Sequence, residues 1–145
     1  MHSNKNIFIQ GAISPEHIAD SIAKHQSKYD IGAHGIFLGQ VRGDNIGERK
    51  VAAIQYSSYE DMAMGKIGVV RETIFAKYPL ICMHIYHSLG IVKSGEICLF
   101  VFTSSAHRKP AIEACEEMVE LIKKEIPIWG KEIFEDDTHQ WKKNK

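Results

Sequence analysis

Apolar and polar positions along this chain change their period several times, and each change marks an element. Ile97-Cys98-Leu99-Phe100-Val101-Phe102 is an unbroken apolar run, the pattern of a strand. It predicts a strand over 96–103, joined by a turn around Lys93-Ser94-Gly95 to another over 80–87. Downstream, Ile112, Cys115, Met118, Val119 and Ile122 recur at helical spacing and predict the inner face of a helix over 111–125, which Pro127 breaks. Ile67, Val70, Ile74 and Phe75 do the same for a helix over 60–77, ended by Tyr78-Pro79. Near the start, Ile7-Phe8-Ile9 reads as a short strand. Ser14-Pro15 then supplies a cap and a first-turn proline for a helix striped by Ile18, Ile22 and Ala23, ending near residue 29. Strands are predicted at 35–41, before the polar turn Gly43-Asp44-Asn45-Ile46-Gly47, at 51–59, and over the short stretch 131–134. Strands and helices alternate only loosely and one strand pair shares a tight turn. The expected class is therefore α+β, a mixed or antiparallel sheet with helices packed on it.

No linker, repeat or low-complexity stretch divides the 145 residues, so one domain over 1–145 is expected, with 136–145 as a polar tail. Eighteen basic residues balance eighteen acidic ones, which removes the electrostatic basis for binding nucleic acid or an anionic membrane. No apolar run approaches the roughly 20 residues of a membrane span. Met1-His2-Ser3-Asn4-Lys5-Asn6 lacks the apolar core of a signal peptide, so a cytoplasmic protein is expected. Cys82, Cys98 and Cys115 form no Cys-x-x-Cys pair and read as small buried hydrophobes.

Candidate chemistry gathers where the apolar strand empties into a helix, at Thr103-Ser104-Ser105-Ala106-His107-Arg108. Free N–H groups and the positive end of a helix dipole favour an anion there. Arg108 adds a planar fork for phosphate or carboxylate, and His107 an acid, base or donor near neutral pH. The plainer reading is a polar cap whose arginine reaches water. Arg42 lies just past the strand Ile36-Phe37-Leu38, either as a second anion contact or as a solvent-facing charge. Lys123 falls in the last turn of the long helix, where the dipole favours a lysine in any case. Partly buried, its ammonium can polarise a carbonyl, hold a thiocarboxylate or act as an amine. His84 and His87 are three apart on a predicted strand and face opposite ways, so they do not make a metal pair, and no other zinc-ligand spacing is present.

Three separated segments, Phe37-Leu38-Gly39-Gln40-Val41-Arg42, Ser105-Ala106-His107-Arg108 and Lys123-Lys124-Glu125-Ile126-Pro127-Ile128-Trp129-Gly130-Lys131-Glu132, resemble the large, catalytic subunit of molybdopterin synthase in that family's order. The resemblance runs from about Ile7 to Lys131. It implies an α/β hammerhead fold and a sulfurtransferase acting on cyclic pyranopterin monophosphate to form the molybdopterin dithiolene. Sulfur would arrive as the thiocarboxylate at the Gly-Gly end of a small ubiquitin-like carrier subunit, with no metal or prosthetic group. By the same resemblance Gln40, Val41 and Arg42 form a substrate-contact segment, and His107 and Arg108 hold the substrate's phosphate and pterin edge. Lys123 matches the family's key catalytic lysine. Gly130 stands where the family commonly has a second functional lysine. Lys131, next along, is the expected replacement, with Gly130, Lys131 and Glu132 near the substrate.

His107 and Lys123 are 16 positions apart, about 24 Å along a continuous helix, too far to share one small substrate. Either the helix breaks, or two chains each supply half of a site across a two-fold interface. The second is favoured: a homodimer, within a heterotetramer once two carriers are bound. A non-catalytic pterin- or carrier-binding module, with Gly130 as the lesion, is the alternative. A phosphate-ester hydrolase is weaker, for no Gly-rich phosphate loop, carboxylate cluster or nucleophile elbow is present.

Overall fold

The structure, a computed structural model, describes residues 6–142. Most of the N-terminal stretch read above for a leader, and residues 143–145 of the tail, lie outside it. In chain order the elements are β1 (Phe8–Gln10), α1 (Pro15–His25), β2 (Ala33–Gln40), β3 (Asn45–Ile46), β4 (Arg49–Ser58), α2 (Glu60–Lys77), β5 (Leu80–Lys93), β6 (Ile97–Ser105), α3 (Arg108–Glu125), β7 (Ile128–Phe134) and β8 (His139–Trp141). The sheet runs β2-β6-β5-β4-β7-β8, with β1 parallel on β5 and β3 on β4. Its other pairings are antiparallel.

The apolar run in β6 is buried on both faces. Leu99 and Val101 join a core with Met83 and Ile85 of β5, Ile67, Val70 and Ile74 of α2, and Ala114, Met118 and Ile122 of α3. Phe100 and Phe102 point the other way and meet Ile13, under Ile18 and Ile22 of α1. Both phenylalanines are wholly buried, each contributing about 1.5–3 kcal/mol relative to exposure. Helix α1 starts as its sequence implies, with Pro15 in the first turn and Ser14 Oγ accepting the His17 N–H at 3.1 Å.

Helix α1 ends at His25, short of the expected residue 29, and β7 begins at Ile128 rather than 131; four further features differ from the sequence reading. Strand β5 continues to Lys93 because Gly90, at φ 82°, bends it. Residues before the bend pair with β6 and those from Gly90 onward with β4, so this one strand joins both halves of the sheet. Helix α3 begins at Arg108 rather than 111, since Pro110 sits in the first turn, where its missing N–H costs nothing. Ile112 is not on its inner face: the residue is 56% exposed, and Ala111 and Ala114 take the buried positions. They do so because α3 lies very close to β2, where a Cβ on Gly35 would come within 2.5 Å of the Ala111 carbonyl oxygen. Finally, part of the expected polar tail is β8, paired with β7 over residues 131–133.

Candidate active site

Strand β6 delivers the chain to the α3 N-terminus through three buried hydroxyl residues, Thr103, Ser104 and Ser105. Thr103 Oγ1 donates to the Ala111 carbonyl at 2.7 Å and Ser105 Oγ to the His107 carbonyl. These bonds fix the turn from strand to helix. His107 is the N-cap residue, in an extended conformation and without a side-chain cap bond, so the first-turn N–H groups remain available. His107, Arg108 and Lys109 line an open space of about 520 Å³. The predicted anion site is therefore sterically free.

Helix α3 is continuous from Arg108 to Glu125, which sets Arg108 and Lys123 about 22 Å apart. At the Lys123 end lies a second, narrow cleft of about 30 Å³. Tyr56, His87, Lys123, Ile128, Gly130 and Lys142 line it. Lys123 is exposed as a residue, but its side chain is crowded here, and desolvation followed by the charge of Lys142 lowers its pKa. Tyr56 donates to Cys98 Sγ at 3.4 Å, and Cys98 in turn to the Gly39 carbonyl at 3.4 Å. Burial, then the neighbouring Cys98 and Glu132, raise the Tyr56 pKa, so the phenol stays neutral.

His87 is buried against Tyr56, their ring centroids 5.1 Å apart. Its Nδ1–H donates to the Ser88 carbonyl at 2.8 Å, leaving Nε2 as the acceptor nitrogen. Burial, opposed by that bond and reinforced by Lys123 and Lys142, pushes its pKa down to about 4 from 6.5. The folded protein thus holds it neutral while the unfolded chain binds a proton between those values, so stability rises with pH across this window. The shift corresponds to about 3 kcal/mol, lost as pH falls from about 6.5 to about 4. Denaturant titrations of wild type and His87→Gln should show the variant with the shallower pH dependence between pH 4 and 7. Equal slopes would remove His87 as the cause.

The remaining expected site residues fall at the same end as Lys123 or away from the cleft. Strand β2 runs antiparallel to β6, with Ala33 opposite Ser105 and Gln40 opposite Ile97. The Gln40–Arg42 segment is therefore remote from His107 and Arg108 of its own chain. Gln40 is exposed, and Arg42 carries a surface ion pair to Asp44 at 3.3 Å. Val41 is a core residue, 1% exposed, its backbone bonded to Glu96 and Gly95. Glu132 is buried and accepts from Gln140 Nε2 at 3.5 Å. Lys131 does not line the cleft; its Nζ lies 5.8 Å from the centroid of the Trp141 ring.

Sequence reasoning did not find Tyr56, Lys142 or the cleft role of His87. It also missed that His25, Cys82 and His84 bring their ligand atoms within 4.8 Å of one another. There His25 Nδ1–H donates to the Ser21 carbonyl at 2.7 Å, and its Nε2 meets His84 Nε2 at 3.0 Å. Lys28 Nζ, however, donates to Cys82 Sγ at 2.9 Å, placing a positive charge on the sulfur that a metal ion would need. As it stands, the group is a hydrogen-bonded seam between α1 and the sheet.

Comparison with known proteins gives a consistent picture. The MoaE protein family profile matches residues 10–125. Molybdopterin synthase catalytic subunits are similar: that of Pyrococcus abyssi is 34% identical over 110 residues, 76% of this chain and 74% of the relative. That of Rattus norvegicus is 36% identical over 114 residues, 79% of this chain but 56% of the relative. That of Drosophila grimshawi is 40% identical over 115 residues, 78% of this chain and 32% of the relative. The chain thus spans about a third to a half of the length of several curated relatives. Among solved structures, molybdopterin synthase from Staphylococcus aureus superposes with a TM-score of 0.81 at 28% identity, covering 99% of this chain and 100% of that one. A complex of subunits 1 and 2 of molybdopterin-converting factor from Helicobacter pylori matches with a TM-score of 0.80 at 21% identity over 95% of this chain and 90% of that one, a likeness of fold.

Proposed function

The chain belongs to the MoaE protein family, and from that premise we propose that it is the catalytic subunit of a molybdopterin synthase. It takes sulfur from the thiocarboxylated Gly-Gly end of a small ubiquitin-like carrier and places it on cyclic pyranopterin monophosphate. Two such transfers complete the dithiolene. The observation that carries this reading is the unequal pair of spaces at the two ends of α3. The Lys123 cleft, at about 30 Å³, is narrow, of a size that suits the side-chain-free end of an extended tail rather than a pterin ring system. The space at His107 and Arg108, about 520 Å³, is the size of a small-molecule site, beside a helix N-terminus that favours phosphate.

The length of α3 keeps these two halves apart within one chain, so the working site is composite. Lys123, Gln40 and Arg42 come from one subunit, and His107 and Arg108 from its partner in a homodimer. The β2 edge, unpaired among the described residues, with Ile36 and Leu38 exposed on it and Ile112 beside it, offers apolar surface and free backbone groups to a second chain. Chemically, the thiocarboxylate sulfur bonds to a substrate carbon held by the Arg108 side as a C–O bond of that carbon breaks and the departing oxygen takes a proton; Lys123 offsets the negative charge that develops, and carrier and substrate are left joined as a thioester. Water then releases the carrier as an ordinary carboxylate. All the sulfur comes from the partner, so this scheme needs no prosthetic group. No helix of the described residues is long and apolar enough to cross a membrane, which fits a reaction in the cytoplasm.

Reconstituted turnover tests this directly. Wild-type protein, cyclic pyranopterin monophosphate and thiocarboxylated carrier should yield a product in which two sulfurs have replaced two oxygens of the substrate. Carrier binding without product would instead support the non-catalytic binding module, with Gly130 as the lost function.

A further inference from the structure

Strands β7 and β8 bring two lysines near the cleft, and their register separates them. Lys131 stands opposite Trp141. Residues directly opposite in an antiparallel pair share a face, and the Lys131 ammonium accordingly lies over the Trp141 ring. One step further, the Lys142 N–H donates to the Gly130 carbonyl at 2.8 Å, which sets these two residues opposite each other. Side chains alternate along a strand, so Lys142 is on the face that Lys131 avoids. That face also carries Tyr56, paired with Gly130 from β4, and it forms the wall of the cleft. A side chain at position 130 would crowd this wall, because a Cβ there would come within 2.9 Å of Ile54 Cγ2 and 3.3 Å of Tyr56 Cε1. The second cation reaches the cleft from the neighbouring strand.

From this geometry we infer that Lys142 is an anion-binding residue of the cleft, holding, together with Lys123, the negatively charged C-terminal group of the carrier tail. The identity of the tail rests on the sulfur-transfer reading; the placement of the ammonium rests on strand register alone. Charge supports the assignment. Lys142 lowers the pKa of both Lys123 and His87, while Cys98 and Glu120 act on Lys123 in the opposite sense. An anion entering between the two ammonium groups relieves their repulsion, so the cleft discriminates in favour of a charged end group over a neutral one.

The test compares Lys142→Met, Lys142→Arg and Lys131→Met in the full chain, with two readouts. The first is the dissociation constant for the carrier ending in a plain Gly-Gly carboxylate, which needs no turnover. The second is the Lys123 side-chain titration followed by NMR. Lys142→Met should weaken carrier binding by about tenfold to a hundredfold and raise the Lys123 pKa. Lys142→Arg should retain most of the binding, and Lys131→Met should leave the Lys123 titration where it is. The inference is overturned if Lys142→Met changes neither readout, or if Lys131→Met shifts the Lys123 titration more than Lys142→Met does. Should wild type bind no carrier at all, the sulfur-transfer reading and the ligand fail together. An unshifted Lys123 titration in Lys142→Met would then reject the placement as well.

Discussion

Lys123→Ala is expected to lower the rate of sulfur transfer by at least about a hundredfold, the usual cost of removing a preorganised group that meets developing charge. The substitution spares the fold. Lys123 is exposed, and the inner face of α3 is made by Ala111, Ala114, Cys115, Met118 and Ile122. Thermal unfolding of the variant should therefore match wild type while turnover collapses. Lys123→Arg should rescue poorly, because a planar guanidinium is bulkier than an ammonium and the cleft holds only about 30 Å³. Dithiolene formation at the wild-type rate by Lys123→Ala would take this lysine out of the chemistry.

Mixing two inactive variants should restore activity. In a composite site, Arg108→Ala spoils the substrate half contributed by its subunit and Lys123→Ala the sulfur half contributed by its own. A mixed dimer pairs both lesions in one site and leaves the other intact. With free exchange and equal amounts, half of the dimers are mixed and half of their sites work, giving about a quarter of wild-type turnover. Two sites complete within each chain would give no rescue. The continuous α3 makes the prediction sharp, since no bending of that helix brings Arg108 back to Lys123.

The parts of this architecture that local pattern controls were readable in the chain. Strand β6, the capped start of α1 and the bounds of α2 follow from an apolar run, cap chemistry and a terminating Tyr78-Pro79. The strand-to-helix turn at His107 and the position of Lys123 in the last turn of α3 were equally accessible. What escaped depends on register between distant strands. Lys142 enters the site only because 131 pairs with 141, and Thr138-His139-Gln140-Trp141 carries too little apolar alternation to announce a strand. The seam of His25 with Cys82 and His84 joins a helix to a strand far along the chain, and spacing rules for metal ligands are blind to such a meeting. Ile112 fits the helical period and is expected inward, yet the close approach of α3 at Gly35 puts two alanines in its place. Lys131 is turned away from the Lys123 cleft by strand alternation, since its neighbour Gly130 takes the cleft wall.

Strand β8 is held to β7 by three register pairs and has no partner on its outer side among the described residues. An edge segment this short opens at far lower free energy than the whole domain unfolds. When it lifts away, Lys142 leaves with it and one wall of the cleft is gone. A tail that needs that wall binds only the closed form, so occupancy clamps the segment down and the clamped segment retains the tail. If the cleft takes the carrier as proposed, its grip depends on how firmly a three-residue latch stays shut, and a substitution that merely loosens β8 from β7 would lower affinity without touching any contact to the ligand.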